Sequence, residues 1–254
     1  MSNNRAAIIL AAGKGKRMKS DLPKVLHRIN GKPLITYLMD TILQLEFDRI
    51  AVVIGHKGQL VIDALNNRKL EFIWQHEQRG TGHAVMMTES RFGDFRGAIL
   101  VAAGDVPFLS VRTIRALFDV YKNKKASAVC LTADFDDPTG YGRIIRQATD
   151  SDMLADIIED KDADSETKKI TEINTGTFCF DSGDLFAALH RLDDNNAQRE
   201  YYLTDTIKIL RRQKKLCAVW KAPDPLEVKG VNSMEQLKSL ENEIKERKLI
   251  ESRR

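Results

Sequence analysis

Nowhere does this sequence sustain the roughly 18–20 consecutive apolar residues that a membrane-spanning helix needs, so a membrane protein is not expected. A secretory leader is missing as well: Met1 to Arg5 is polar and runs straight into a short apolar segment, without a charged start, apolar middle and small-residue cleavage site. Cysteine is scarce. The three, Cys130, Cys179 and Cys217, are far apart, odd in number and without metal-ligand spacing, which excludes a disulfide framework or a zinc site and predicts buried free thiols in a reducing cytoplasm. Charge is not one-sided either, since 40 Lys and Arg against 36 Asp and Glu leave +4. Basic residues crowd the end of the chain (Lys245, Arg247, Lys248, Arg253, Arg254), but Glu241, Glu243 and Glu246 interleave with them. A solvated helix face is expected there rather than a nucleic-acid surface. No internal repeat and no low-complexity linker divides the chain.

What is present is an alternation of short apolar runs and amphipathic stretches. Strands are expected at 5–12, 50–54, 70–74, 98–102 and 126–132. Helices are expected at 32–45, 59–65, from 82 to about 89, and at 111–121. This order predicts an α/β, Rossmann-like fold, a mostly parallel sheet with helices on both faces. From Gly142 onward the pattern changes to strands at 143–146, 153–158, 173–180 and 216–220 and helices at 183–192, 203–212 and 234–249. It reads as a smaller mixed β lobe that builds a lid or acceptor site. In open α/β sheets ligands lie beyond the carboxyl ends of the strands, and the segments that could carry chemistry fall there.

The first strand ends in Leu10-Ala11-Ala12-Gly13-Lys14-Gly15-Lys16-Arg17-Met18, with Pro23-Lys24 shortly after. Gly13 and Gly15 let backbone N–H groups face a phosphate, and Arg17 and Lys24 add positive charge. The Walker A spacing is absent, and Met18 stands where a dinucleotide fingerprint needs its third glycine. Gln75 to Ala84 follows the third strand. Glutamine amides suit a pyrimidine edge, Gly80 and Gly82 would let a base lie flat on backbone, and His83 reads as a helix-start or packing residue rather than a base. Gly104-Asp105 follows the fourth strand. By itself Asp105 reads equally as a cap or turn residue, and Asn232, just before the last helix, as an N-cap.

These segments together resemble the sugar-phosphate nucleotidyltransferase family, in particular the uridyltransferases that act on N-acetylglucosamine 1-phosphate. The matching strings include Gln75 to Ala84, Gly104-Asp105-Val106-Pro107, Asp137 to Arg143, Glu172 to Gly176, Asn196 to Asp205 and Glu227 to Asn232, and the likeness covers nearly the whole chain. The resemblance implies a transferase that joins a sugar 1-phosphate to UTP with Mg²⁺ as cofactor. It implies nucleotide contacts from Leu10, Ala11, Ala12, Gly13, Gly15, Lys24, Gln75, Gln78, Gly80 and Thr81. Sugar contacts would come from Gly142, Glu159, Asn174, Tyr202 and Thr204, metal ligands from Asp105 and Asn232, and the catalytic cations would be Arg17 and Lys24. Residues 1–232 would be the nucleotidyltransferase domain, its nucleotide half about 1–110 and its acceptor half about 111–232, with 233–254 a helical arm. No nucleic-acid or membrane partner is implied, and the chain would be a monomer or small homo-oligomer. Such proteins typically continue into a hexapeptide-repeat acetyltransferase domain. This sequence carries no such repeats, so acetyl transfer, and a trimer built through that domain, are not expected of it. Lys16 and Arg79 stand where threonine and leucine are common in the family, and both would bring charge to the nucleotide. Three other readings stay open: a different sugar or alditol phosphate or CTP as substrate, a non-catalytic nucleotide sensor, and a dinucleotide oxidoreductase.

Overall fold

The computed structural model describes residues 4–66, 68–149 and 151–251, with the side chains of Lys16 and 248–251 left aside. Of the terminal basic stretch, Arg253, Arg254 and the side chain of Lys248 therefore lie outside the described residues, as does the side chain of Lys16. The chain opens with β1 (Arg5–Ala11), a two-strand hairpin β2 (Arg28–Ile29) and β3 (Lys32–Pro33), and α1 (Leu34–Ile42). There follow β4 (Arg49–Ile54), α2 (Gly58–Leu65), β5 (Glu71–Trp74), α3 (Thr81–Met86), α4 (Glu89–Phe92), β6 (Ala98–Ala103), α5 (Val111–Lys124) and β7 (Ala128–Asp134). The remainder is β8 (Arg143–Arg146), β9 (Leu154–Ile158), β10 (Glu172–Asp181), α6 (Ser182–Leu189), α7 (Asp205–Arg212), β11 (Cys217–Lys221) and α8 (Met234–Glu251).

The main sheet runs β11-β7-β10-β6-β1-β4-β5, with β8 and β9 branching from β10. Parallel ladders join β1 to β4 and to β6, β4 to β5, and β11 to β7, while β10 lies antiparallel between β6 and β7. Alternating residues of each strand serve two cores. Ala7, Ile9, Leu100 and Val52 face α1, α2 and α5, and Ala6, Ile8, Ile99 and Val53 face α3, α6 and α7. Burial on both faces explains why these strands read as continuous apolar runs. All three cysteines sit in this interior as free thiols, and burial raises their pKa, Cys217 to about 12.

Two expectations shift in detail. The helix expected at 32–45 begins only at Leu34, because Lys32–Pro33 pairs with Arg28–Ile29 in the small hairpin. The helix starting near Gly82 breaks after Met86 and resumes as the short α4, Thr88 bonding back to Val85 through both its N–H and its hydroxyl. At the other end of the chain, Leu237, Leu240 and Ile244 of α8 pack on Met18, Ile29 and Leu34, so one face of the last helix braces the loop after β1. Two of its cations are paired with carboxylates, Lys245 with Glu241 and Arg247 with Asp224, and its Glu243 pairs with Lys229 just before the helix. Among the described residues no helix is long and apolar enough to cross a membrane.

Leu100 lies fully buried in the strand that ends just before Gly104-Asp105. Leu100→Ala is expected to lower unfolding free energy by about 2–5 kcal/mol. Urea denaturation should show a lower midpoint at an unchanged slope.

Candidate active site

The carboxyl ends of β1, β5 and β6 open onto one cleft of about 610 Å³. Leu10, Ala11, Ala12, Gly13, Gly15, Arg17, Lys24, Gln75, Gln78, Gly80, Thr81, Asp105 and Asn232 line it, so the structure brings the expected nucleotide, metal and catalytic residues together. Lys14, Val25, Ala84, Ala103, Lys161, Gln198 and Glu200 line it too. These seven are not expected from the sequence, although Gln198 and Glu200 stand in the same string as Tyr202 and Thr204.

The glycine turn has two distinct causes. Gly15 has φ +59°, and a Cβ there would lie 2.8 Å from the Lys24 Cβ, so this position needs glycine both for its backbone and for the lysine packed against it. A Cβ at Gly13 would meet nothing within 4 Å, so nothing in the protein itself requires glycine there. The open space in front of it is what a phosphate cradle needs.

Lys24 reaches across the cleft mouth. Its Nζ donates to Asp105 Oδ2 at 2.5 Å and to Asn232 Oδ1 at 3.0 Å. Neither partner serves as a helix cap. The cap of α5 is Ser110, whose hydroxyl accepts from Thr113 N, and Ser233 Oγ accepts from Gln236 N in the first turn of α8. Asp105 O accepts from Val231 N at 3.0 Å, which docks the segment carrying Asn232 onto the end of β6. Tyr141 joins this corner, its hydroxyl donating to Gly230 O at 3.5 Å. Burial, then the nearby Asp105 carboxylate, raise its pKa.

The 75–84 segment is held by the protein in ways the sequence did not disclose. Gln75, 3% exposed, donates from Nε2 to Gly80 O at 3.0 Å, with His83 Nδ1 also 3.0 Å away. Its amide nitrogen thus braces the loop. Its carboxamide oxygen makes no hydrogen bond among the described residues. His83 is a packing residue as expected. Its pKa is lowered by burial and secondarily by the charge of Arg79. At Gly80 and Gly82 the close approach on the Cβ side is made by the protein itself, while Gly80 still lines the cleft. Cβ atoms there would stand 2.5 and 2.9 Å from Tyr201 O, whose segment pairs with this loop through Gly82 N→Tyr201 O and Tyr201 N→Arg79 O, each 2.8 Å. Arg79 also departs from expectation. Its guanidinium lies over the Tyr201 ring at 4.8 Å and bonds the Tyr201 hydroxyl, away from the cleft lining.

The expected sugar residues form a second cluster beside the cleft. Asn174 N donates to Gly142 O at 2.8 Å, and Thr204 Oγ1 donates to Glu159 Oε1 at 2.8 Å. A Cβ at Gly142 would sit 3.5 Å from Glu159 Oε2. The ladder slips between Asn174 and Phe178, where Gly176 has φ +76° and its N–H donates to Asn174 Oδ1. This bulge fixes the amide, leaving Nδ2 as its free end. Burial raises the Glu159 pKa against the lowering bond from Thr204, with Asp205, Asp162 and Asp160 adding to the rise. Tyr202 is buried, which lifts its phenol to about 12. Lys161 Nζ donates to Gln198 Oε1 at 2.7 Å and links this cluster to the cleft wall.

The sequence matches the MobA-like NTP transferase domain over residues 7–252. The chain belongs to that family. It is similar to the bifunctional protein GlmU of Enterococcus faecalis, 47% identical over 248 residues, covering 98% of this chain and 53% of the relative. The bifunctional protein GlmU of Halalkalibacterium halodurans is 46% identical over 245 residues, 96% of this chain and 53% of that one. The chain thus spans about half the length of the relatives it matches. Among solved structures, a UDP-glucose pyrophosphorylase complexed with UDP-glucose superposes with a TM-score of 0.76 at 17% identity, over 96% of this chain and 99% of the other. A putative glucose-1-phosphate thymidylyltransferase from Bacillus anthracis gives 0.73 at 19% identity, over 94% of each chain. At such identities the likeness is one of fold.

The geometry around Tyr201 and α7 makes two variants informative. Gly80 has φ +106° and the Tyr201 backbone against it, so Gly80→Ala is expected to lower Tm by several degrees, read by thermal melts. Asp205, at the start of α7, has its carboxyl raised to about 6, burial first among the causes, with Lys208 opposing and Asp156, Asp193 and Asp162 adding. Its folded pKa lies above the unfolded value near 3.9, so the fold binds this proton more tightly. Its contribution is present at low pH and is lost as pH rises through about 6. Asp205→Asn should gain about 1 kcal/mol over the native protein at pH 8 and nothing at pH 4, measured by urea unfolding at both.

Proposed function

We propose that this chain is a sugar-1-phosphate uridylyltransferase that joins N-acetylglucosamine 1-phosphate to UTP, releasing pyrophosphate and forming UDP-N-acetylglucosamine. The observation that carries the reading is the convergence, in one cleft, of a glycine turn, Arg17, Lys24 and the Asp105–Asn232 pair. The likeness to bifunctional GlmU proteins supports the choice of nucleotide and sugar. An acceptor set of a backbone turn, a carboxamide and hydroxyls around Glu159 suits sugar hydroxyls and an acetamido group.

The donor set also fits a divalent cation. A carboxylate oxygen and a carboxamide oxygen already face one ammonium from 2.5 and 3.0 Å, a position that favours positive charge. Mg²⁺ is the cation proposed, because it takes one or two protein oxygens and completes its shell with phosphate and water. When bound, the ion would neutralise phosphate oxygens of both reactants at the point where they meet.

The protein's own residues do the rest. A sugar 1-phosphate is ionised at neutral pH and needs no base. It attacks the α-phosphorus of UTP in line, the new P–O bond forming as the bond to pyrophosphate breaks. Little covalent chemistry falls to the enzyme, so positioning and electrostatics carry the rate. The backbone of the glycine turn holds the triphosphate. Arg17, which lines the cleft beside the glycine turn, would stabilise charge developing on the departing β- and γ-phosphates. Gln75 and Gln78 offer amides to the base, and Glu159, Asn174 and Thr204 orient the sugar.

Asp105→Asn and Arg17→Ala are each expected to cut turnover about a hundredfold or more while leaving the unfolding midpoint nearly unchanged. A pyrophosphate-release assay across UTP, CTP and several sugar phosphates checks this. Turnover near the native rate in either variant rejects the role assigned to that residue, and preference for another nucleotide or sugar rejects the specificity.

A further inference from the structure

We infer that Lys24 is a displaceable internal cation, holding the place between Asp105 and Asn232 that a divalent ion takes over, and that its release links metal entry to phosphate binding. This rests on the divalent site proposed above. The Nζ contacts the two atoms that would be the metal's protein ligands, Asp105 Oδ2 at 2.5 Å and Asn232 Oδ1 at 3.0 Å. An ammonium and a divalent cation cannot share that position, since like charges a few ångströms apart repel strongly where water is partly excluded. One must leave for the other to enter.

Where the lysine goes is limited by its stem. A Cβ on Gly15 would be 2.8 Å from the Lys24 Cβ, so the base of the side chain lies tight against the phosphate loop. Only the far end of the four-carbon stem is free to turn. Both Lys24 and the open face of Gly13 line the same cleft, so the released ammonium swings toward the phosphates that bind there. Without the lysine, Asp105 and Asn232 are an open pair of oxygens. With it, the pair stays neutralised until an anion draws the ammonium away.

The test is Mn²⁺ binding by the full chain without nucleotide, followed through the paramagnetic resonance signal of free Mn²⁺. Lys24→Met and Lys24→Gln are expected to bind Mn²⁺ at least about fivefold tighter than the native protein, the lower end of typical coupling between linked sites. Adding Asp105→Asn to either should abolish the gain. Lys14→Met removes the same unit of charge from the cleft wall and controls for charge alone. It should change affinity by less than about twofold in 0.15 M salt, where exposed charges are screened. Circular dichroism confirms that each variant is folded. A gain in both Lys24 variants that is lost with Asp105→Asn supports the displacement. Native-like affinity in both, or an equal gain in Lys14→Met, overturns it and leaves the transferase reading intact. Failure of the native protein and of every variant to bind Mn²⁺ even after UTP is added overturns the metal site itself.

Discussion

The proposed reaction would bring two negative reactants into this cleft, and one contact there organises the charged groups: Lys24 held between Asp105 and Asn232. The lysine is 81 residues from one partner and 208 from the other. Bringing them within hydrogen-bond distance requires the β1–β6 ladder, the closing strands and the return of the chain to the end of β6. The fold is therefore the means by which a small charged constellation is assembled and kept partly dry.

The neighbouring residues leave that constellation free to act. Helix-cap duties that Asp105 and Asn232 could have taken fall to Ser110 and Ser233. Thr204, just before α7, makes no side-chain cap bond and turns its hydroxyl to Glu159 instead. Arg143, 2% exposed, donates to Tyr141 O and to Asp160, tying the strand after Tyr141 to the loop that carries Glu159. A buried guanidinium that loses such partners is costly, so these walls are held in fixed relation. Asp105, Asn232 and Thr204 are thus spared cap duties.

Much of this could be read in the sequence because its signals are local. The parallel strands are apolar on both faces, so Arg5–Ala11 and Ala98–Ala103 stand out as short runs ending in glycine-bearing turns. Arg17, Lys24 and Asp105 follow those ends directly. What stayed hidden depends on contacts between distant segments. Gly80 and Gly82 look like room for a base, but the side on which a Cβ would stand at each is taken by the Tyr201 backbone, while Gly80 still lines the cleft. Arg79 looks like added charge for a nucleotide, and it stacks on Tyr201. The broken α3–α4 helix and the bulge at Gly176 have weak local signatures, because side-chain hydrogen bonds rather than propensity set them. Lys161 and Gln198 carry no pattern of their own. They meet only when two loops cross the cleft wall.

Anomalous diffraction from a crystal holding Mn²⁺ and UDP-N-acetylglucosamine tests the exchange of cations at this corner most directly. One strong manganese peak is predicted about 2.0–2.4 Å from an Asp105 carboxylate oxygen and the Asn232 amide oxygen, with the diphosphate against Gly13 and Gly15 and Lys24 turned away from the ion. Manganese elsewhere in the cleft, with Lys24 still bonded to Asp105 and Asn232 beside bound nucleotide, would contradict it.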